Sequence, residues 1–269
     1  MVVRFVRSVV RSVLLLAMLL AATVDLWIKR PKYGAGGAVW IHGWCRRIVS
    51  VMGIKVTVTG KLPESGAVVS NHLSYLDILL YSATRPFIMV AKTEIKSWPL
   101  LGRLTAQAGT VYVDRGGGPR TYPAVNRAMA EAYQRGLPVL FFPEGTTTNG
   151  EGVLPFRRGL FHSILNNGIA LRTSALRLSI HGDNGAATVA DDVCWWGDAY
   201  FGPHIFKCLG LEGLAAQIEF KDEPVEGSDR FSLSENAQAR VARGYEELGW
   251  EIGVPHHRFR DEAAVLAEG

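Results

Sequence analysis

The feature that most restricts the fold is a set of short apolar runs that stop abruptly at polar residues. Ala67-Val68-Val69-Ser70 leads into Asn71-His72, and Val139-Leu140-Phe141-Phe142 leads into Pro143-Glu144-Gly145. A strand with one wet face alternates, whereas a run lacking polar positions is covered on both faces. Phe87–Val90, Thr110–Val113, Leu176–Ile180 and Gln217–Phe220 are further strand candidates, and Lys55–Thr59 alternates like a strand at a sheet edge. Helical spacing predicts helices near 75–83, 97–106, 122–135, 158–167 and 234–248. The third carries Val125, Ala128, Met129 and Ala132 on one face, with Gly136 as its stop. This alternation predicts an α/β domain whose mostly buried, mixed sheet is flanked by helices.

The polar residues at the run ends carry the chemistry. His72 sits at a strand end and Asp77 in the first turn of the next helix. Five residues apart on one continuous helix they would diverge, but the intervening loop lets them converge. A carboxylate on one imidazole nitrogen then leaves the other free as a base. The same residues also fit a capping box, with Ser74 as N-cap and Asp77 at N3, and that reading stays open here. In the second run Pro143 stops the strand ladder and Gly145 permits a tight turn, which presents Glu144 beside the hydroxyls of Thr146, Thr147 and Thr148. The alternative is an ordinary turn carrying a solvated acid.

His-x4-Asp together with Phe-Pro-Glu-Gly-Thr resembles the glycerolipid acyltransferase family. Gly109–Arg115 looks like the family's intermediate segment with its arginine in place, and Val90-Ala91-Lys92 resembles a further segment carrying a lysine. The similarity spans about residues 55 to 180. It extends more loosely to Trp195-Trp196-Gly197-Asp198 and Pro203-His204, a pattern of bacterial members. The resemblance implies direct acyl transfer, with His72 as general base, Asp77 holding its ring, and no acyl-enzyme. It implies an acyl-CoA or acyl-acyl-carrier-protein cosubstrate, no bound cofactor and no metal. The implied acceptor is a lysolipid, foremost the sn-2 hydroxyl of 1-acyl-sn-glycerol 3-phosphate. Glu144, Gly145 and Thr146 would help bind it, with Arg115, Lys92, Arg157 and Arg158 as cationic candidates for its headgroup. A guanidinium fork suits phosphate oxygens, which favours Arg115 over Lys92.

Two departures bear on the acceptor. Many phosphatidate-forming members carry arginine where this chain has Thr147, and the segment Ile169–Leu176 lacks the proline of the family's fourth motif. Another lysolipid, such as a lysophospholipid or lyso-ornithine lipid, is the alternative within the class. A thioester hydrolase or a noncatalytic membrane-binding module are the alternatives outside it.

The 269 residues, 48% hydrophobic and 20% charged, suffice for one substantial core. The net charge of +4 is concentrated at the N-terminus, where Arg4, Arg7, Arg11, Lys29, Arg30 and Lys32 face Asp25 alone. The remainder is near neutral, which excludes a nucleic-acid footprint. The apolar stretch from Val13 to Ile28, interrupted by Asp25, is shorter than the ~20 residues that comfortably span a bilayer. A cleaved signal peptide is its rival, with small residues at Ala21-Ala22-Thr23. Trp40, Ile41, Trp44, Cys45, Ile48, Val49 and Met52 then repeat at helical spacing opposite Arg46, Arg47 and Ser50. That pattern suits a membrane interface and equally suits packing on a core. The expected organisation is a membrane anchor and amphipathic helix over 1–52, then a catalytic domain over 53–269, bound to the bilayer at the cytoplasmic face of the cell membrane.

Other signals carry less. The glycines in Arg115–Arg120 match neither a Walker loop nor a Rossmann turn. Cys45, Cys194 and Cys208 are dispersed as reduced structural thiols are. His256-His257 lacks companion ligands for a metal, and no Gly-x-Ser-x-Gly elbow exists.

Overall fold

The computed structural model describes residues 2–114 and 121–252. Among these, seven strands form one mixed sheet: β1 (Lys55–Gly60), β2 (Ala67–Val69), β3 (Ile88–Lys92), β4 (Val111–Val113), β5 (Val139–Phe141), β6 (Leu171–Ser179) and β7 (Ala215–Lys221). Their spatial order is β1-β7-β6-β2-β5-β3-β4. The five from β6 to β4 run parallel, β7 is antiparallel to β6, and β1 lies parallel to β7 at the edge. The helices are α1 (Val2–Lys29), α2 (Ala35–Val51), α3 (Leu76–Thr84), α4 (Leu101–Gln107), α5 (Tyr122–Tyr133), α6 (Phe161–Asn166), α7 (Val189–Asp192), α8 (Phe201–Leu209) and α9 (Arg230–Ile252).

The apolar runs are covered on both faces, as expected. Val68 and Leu140 point into one core, with Ile48 and Val49 of α2 and Leu76 and Leu80 of α3. Ala67, Val69, Val139 and Phe141 point into the other, with Met129 of α5, Phe161 of α6 and Val241 of α9. Each buried aliphatic side chain is worth about 1.5–3 kcal/mol relative to exposure, so this two-sided burial holds β2 and β5 at the centre. Both expected boundary regions 97–106 and 176–180 change. Trp98 precedes Pro99 and is extended (ψ 134°), and Leu100 has φ 61°, so a 3₁₀ turn at Thr93–Ser97 is cut off from α4. β6 begins at Leu171 because its first residues pair with β2 and its later ones with β7.

The amphipathic pattern of α2 resolves in favour of core packing. Cys45, Ile48, Val49 and Met52 are buried, while Arg46, Arg47 and Ser50 are exposed. Trp40 and Trp44, one turn apart, donate their indole N–H groups to Asp25 Oδ2 at 2.8 and 3.0 Å. Lys29 pairs with the other Asp25 oxygen at 3.1 Å. Asp25 therefore ties α1 to α2. At its other end α1 is also fastened. Arg4 pairs with Asp192 at 2.7 Å, Arg7 donates to the Gly210 carbonyl, and Arg11 donates to the carbonyls of Leu209 and Leu211 at 3.1 and 2.8 Å. The Arg7 and Arg11 guanidinium groups thus cap the carbonyl end of α8, where the helix dipole favours cations. Between these ties Leu15, Met18 and Leu19 pack on the core, while Val2, Phe5, Val13, Leu16, Leu20, Val24 and Trp27 remain exposed. At 28 residues α1 is long and apolar enough to cross a membrane.

Candidate active site

β2 ends beneath the site and hands the chain to a tightly bonded loop. The Asn71 side chain mimics a strand neighbour, donating to the Leu176 carbonyl at 2.9 Å and accepting from the Leu176 N–H at 2.8 Å. Ser70 joins a buried hydroxyl chain through Tyr81 to Ser174. With the backbone so fixed, His72 emerges between β5 and β6, at the carboxyl ends of parallel strands where α/β sheets place ligands. Its Nδ1 lies 2.7 Å from Asp77 Oδ2. The imidazole stacks on Phe142, centroids 4.2 Å apart and rings 10° from parallel.

Asp77 serves both roles that its spacing allows. Besides His72, Oδ2 accepts the backbone N–H groups of Leu73 at 2.6 Å and Ser74 at 3.0 Å. The second is the carboxylate half of a capping box. The reciprocal half is missing: the cap position of α3 is Tyr75, and the Ser74 hydroxyl caps nothing. Asp77 is fully buried, so its orientation is set entirely by these donors. It obliges His72 to carry its proton on Nδ1, which leaves Nε2 as the basic nitrogen. The Nε2 atom has no protein partner among the described residues.

Glu144 lies behind His72 and is 3% exposed. One oxygen accepts the His72 backbone N–H at 2.6 Å and the other accepts the Leu154 N–H at 2.8 Å. Burial pushes its carboxyl up to about 7, against these two bonds, which pull it down. Each Glu144 oxygen thus accepts one backbone N–H, which makes the side chain a brace for the His72 loop. Thr148 completes the brace by donating its N–H to the His72 carbonyl at 3.0 Å. Thr146 is exposed beside it.

Phe142 and Gly145 also border a cleft of about 190 Å³, with Ala91, Val113, Asp114 and Arg157 among its other walls. Gly145 has φ 77°, and a β-carbon there would lie 2.4 Å from Arg157 Nε. Glycine suits this backbone conformation, and without a side chain it lets the Arg157 guanidinium rest against it. Among the described residues the Arg157 side chain makes no ion pair, so its charge is available to the cleft. Arg158, in the turn that follows, reaches instead to α9, pairing with Glu235 at 3.1 Å and covering Phe231 at 4.6 Å. Lys92 is exposed at the end of β3, next to the cleft residue Ala91. Arg115 and the His256-His257 pair lie outside the described residues. Among the described residues, no group of His, Cys, Asp and Glu side chains is arranged to hold a metal ion.

A family model described as Acyltransferase matches residues 53–176. A 1-acyl-sn-glycerol-3-phosphate acyltransferase of Neisseria meningitidis is 33% identical over 201 residues, covering 73% of this chain and 76% of its own length. The chain belongs to the glycerolipid acyltransferase family. It is an acyltransferase. A lyso-ornithine lipid O-acyltransferase of Pseudomonas aeruginosa is 34% identical over 202 residues, covering 74% of this chain and 75% of its own. The crystal structure of the 1-acyl-sn-glycerophosphate acyltransferase PlsC from Thermotoga maritima shares the fold, with a TM-score of 0.56 at 18% identity over 77% of this chain and 78% of that one.

Several supporting residues of this acyltransferase escape sequence reasoning. Phe142 reads as the last residue of a strand, yet its ring carries His72. Tyr75 gathers Trp195, Phe201 and His204 into an aromatic wall, with centroids 5.0 to 5.8 Å away. His204 lies 3.1 Å from the Tyr75 hydroxyl and 2.9 Å from the Cys194 carbonyl. Burial holds its imidazole below the usual range, so a neutral ring donates to Cys194 and accepts from Tyr75. The Trp195 backbone N–H in turn donates to the Leu73 carbonyl at 2.9 Å, which ties this wall to the His72 loop. The only sequence signal was the Trp195-Trp196 and Pro203-His204 pattern.

Proposed function

We propose that the chain transfers an acyl group from an acyl thioester to the sn-2 hydroxyl of 1-acyl-sn-glycerol 3-phosphate. The observation that carries the chemistry is the His72 ring, bonded at Nδ1 to Asp77 and, among the described residues, unpartnered at Nε2. Nε2 takes the proton of the lipid hydroxyl as its oxygen attacks the thioester carbonyl. Asp77 stabilises the imidazolium that forms. The tetrahedral intermediate then expels the thiolate, which recovers the proton from His72. Acyl-CoA and acyl-acyl carrier protein both satisfy this chemistry, and the reaction needs no further cofactor.

Arg157 supports an anionic headgroup, since its guanidinium enters the cleft beside the loop that holds His72. Arg115 remains a proposed second cation, with Lys92 at the rim. The second reading is O-acylation of lyso-ornithine lipid. It is favoured by relatives of that name at matching identity and by Thr147 in place of an arginine. A competition assay with equimolar acceptors and one donor tests the pair. No turnover of 1-acyl-sn-glycerol 3-phosphate beside robust turnover of lyso-ornithine lipid overturns the first reading. Thiol release without any acceptor would make the chain a hydrolase.

The exposed stripe of α1 supports adsorption to a bilayer. Because both helix ends are tied to one body, we place α1 along the surface of one leaflet rather than across it, retained in the working protein. The cytoplasmic face is the proposed side, where activated thioesters are available.

A further inference from the structure

The far end of α1 holds a feature that acyl transfer does not use. Arg30 has φ 45°, a left-handed conformation that suits glycine and is costly for a long side chain. Its N–H closes on the Leu26 carbonyl at 3.0 Å and its Nε donates to the Trp27 carbonyl at 3.2 Å. The guanidinium is thereby folded back over the last turn of α1. Beside it runs a groove of about 570 Å³, walled by Val24, Leu26 and Trp27 of α1 and by Arg103 and Gln107 of α4.

The groove rests on a rigid seam. Gln107 donates to the Pro31 carbonyl at 2.5 Å and accepts from the Gly34 N–H at 3.2 Å. Gly37 lies so close to the Gln107 carbonyl that a β-carbon would overlap it. Arg30 and Arg103 are the charged residues of the groove wall, and both are positive. Among the described residues Arg103 has no ion pair. The nearby acid, Asp25, already serves Lys29, Trp40 and Trp44. The groove lies beside Trp27 and Ile28, 73% and 68% exposed, at the end of the apolar stripe. Two guanidinium groups over an apolar trough, beside an exposed tryptophan, match an anionic amphiphile rather than a free anion.

We propose that this groove binds an anionic phospholipid of the bilayer, its phosphodiester between Arg30 and Arg103 and an acyl chain along Val24, Leu26 and Trp27. The site is separate from His72 and from the cleft beside Arg157, and gives the protein a preference for negatively charged membrane. It rests on the reading of α1 as the bilayer contact.

The test compares the full chain with Arg30→Gln/Arg103→Gln and with Arg46→Gln/Arg47→Gln, which removes equal charge from the exposed face of α2. In vesicle sedimentation, phosphatidylglycerol should raise partitioning of the full chain over neutral phosphatidylcholine. The groove variant should lose about tenfold of that gain, and the α2 variant much less. Equal loss in both variants, or none in the groove variant, overturns the proposal. Unchanged binding of the groove variant to neutral vesicles supports a site distinct from general adsorption. A second arm needs no bilayer: phosphatidylglycerol doped into maltoside micelles should raise the unfolding temperature saturably, and not in the groove variant. If no protein binds any vesicle, the bilayer reading of α1 fails while this arm still decides the groove. A matching shift from inorganic phosphate alone, or no shift from the lipid, overturns the lipid site.

Discussion

Glu144 accepts the backbone N–H of His72 at 2.6 Å, so the second motif builds the first. Its other oxygen holds Leu154, and Thr148 holds the His72 carbonyl. His72 is clamped from both sides of its peptide backbone, and Asp77 and Phe142 then orient its ring. Acid and histidine act here as one preorganised unit.

The position of Glu144 has a pH signature. Burial raises its folded pKa to about 7, above the ordinary value of 4.5, so between these the native state holds a proton that the unfolded state has released. Native stability should therefore fall as pH rises through that window, by up to about 3 kcal/mol, and level off above it. Glu144→Gln cannot titrate and should lack this slope, while also losing an acceptor for one N–H and much of its turnover. Denaturant midpoints of both proteins across the window provide the check. Parallel pH profiles would remove Glu144 as the titrating group.

His72→Ala should lower kcat by about 10² to 10⁴ with little change in folding. Asp77→Asn should impair both turnover and stability, because the carboxylate holds His72 and two backbone donors at once. Thermal melts alongside steady-state rates separate these effects. Loss of stability alone in Asp77→Asn would leave that residue only its capping role.

Arg157 and Arg158 are adjacent but should behave differently. Arg157→Ala removes a charge-assisted contact and should raise the acceptor KM about tenfold or more, leaving the donor KM nearly unchanged. Arg158→Ala loses an exposed pair with Glu235 and should change stability by no more than about 1 kcal/mol. Equal effects of the two substitutions on acceptor KM would refute the division.

Arg11 distinguishes a structural cation from a lipid-facing one. Arg11→Lys keeps the charge but removes the rigid planar group whose single Nη1 donates to both Leu209 and Leu211, so the unfolding temperature should drop while vesicle binding persists. Unchanged stability with this substitution would mean that the guanidinium geometry contributes nothing to the docking of α1.

The strands and motif loops were legible because their signals are contiguous: a buried run, a breaker, then the functional side chain. Apolar spacing suggests a helix over 97–106, but the deciding constraint lies in the Trp98-Pro99 step and the left-handed Leu100. The face of α2 could not be decided from Cys45, Ile48 and Val49, since a bilayer and a protein core demand the same side chains. Arg4, Arg7 and Arg11 look like membrane charge in one dimension, and only the fold brings them to the end of α8. Phe142 and Asn71 were illegible as site residues for the same reason, because their partners come from other strands and loops.

The fastening of α1 at both ends has a geometric consequence. With no hinge between the apolar stripe and the body, the stripe and the cleft share one frame of reference. Any surface that receives the stripe also fixes the tilt and height of His72 above it. Reach is then set by the lipid: an acceptor must rise to a constant level to be acylated, whatever the curvature of the sheet of lipids below.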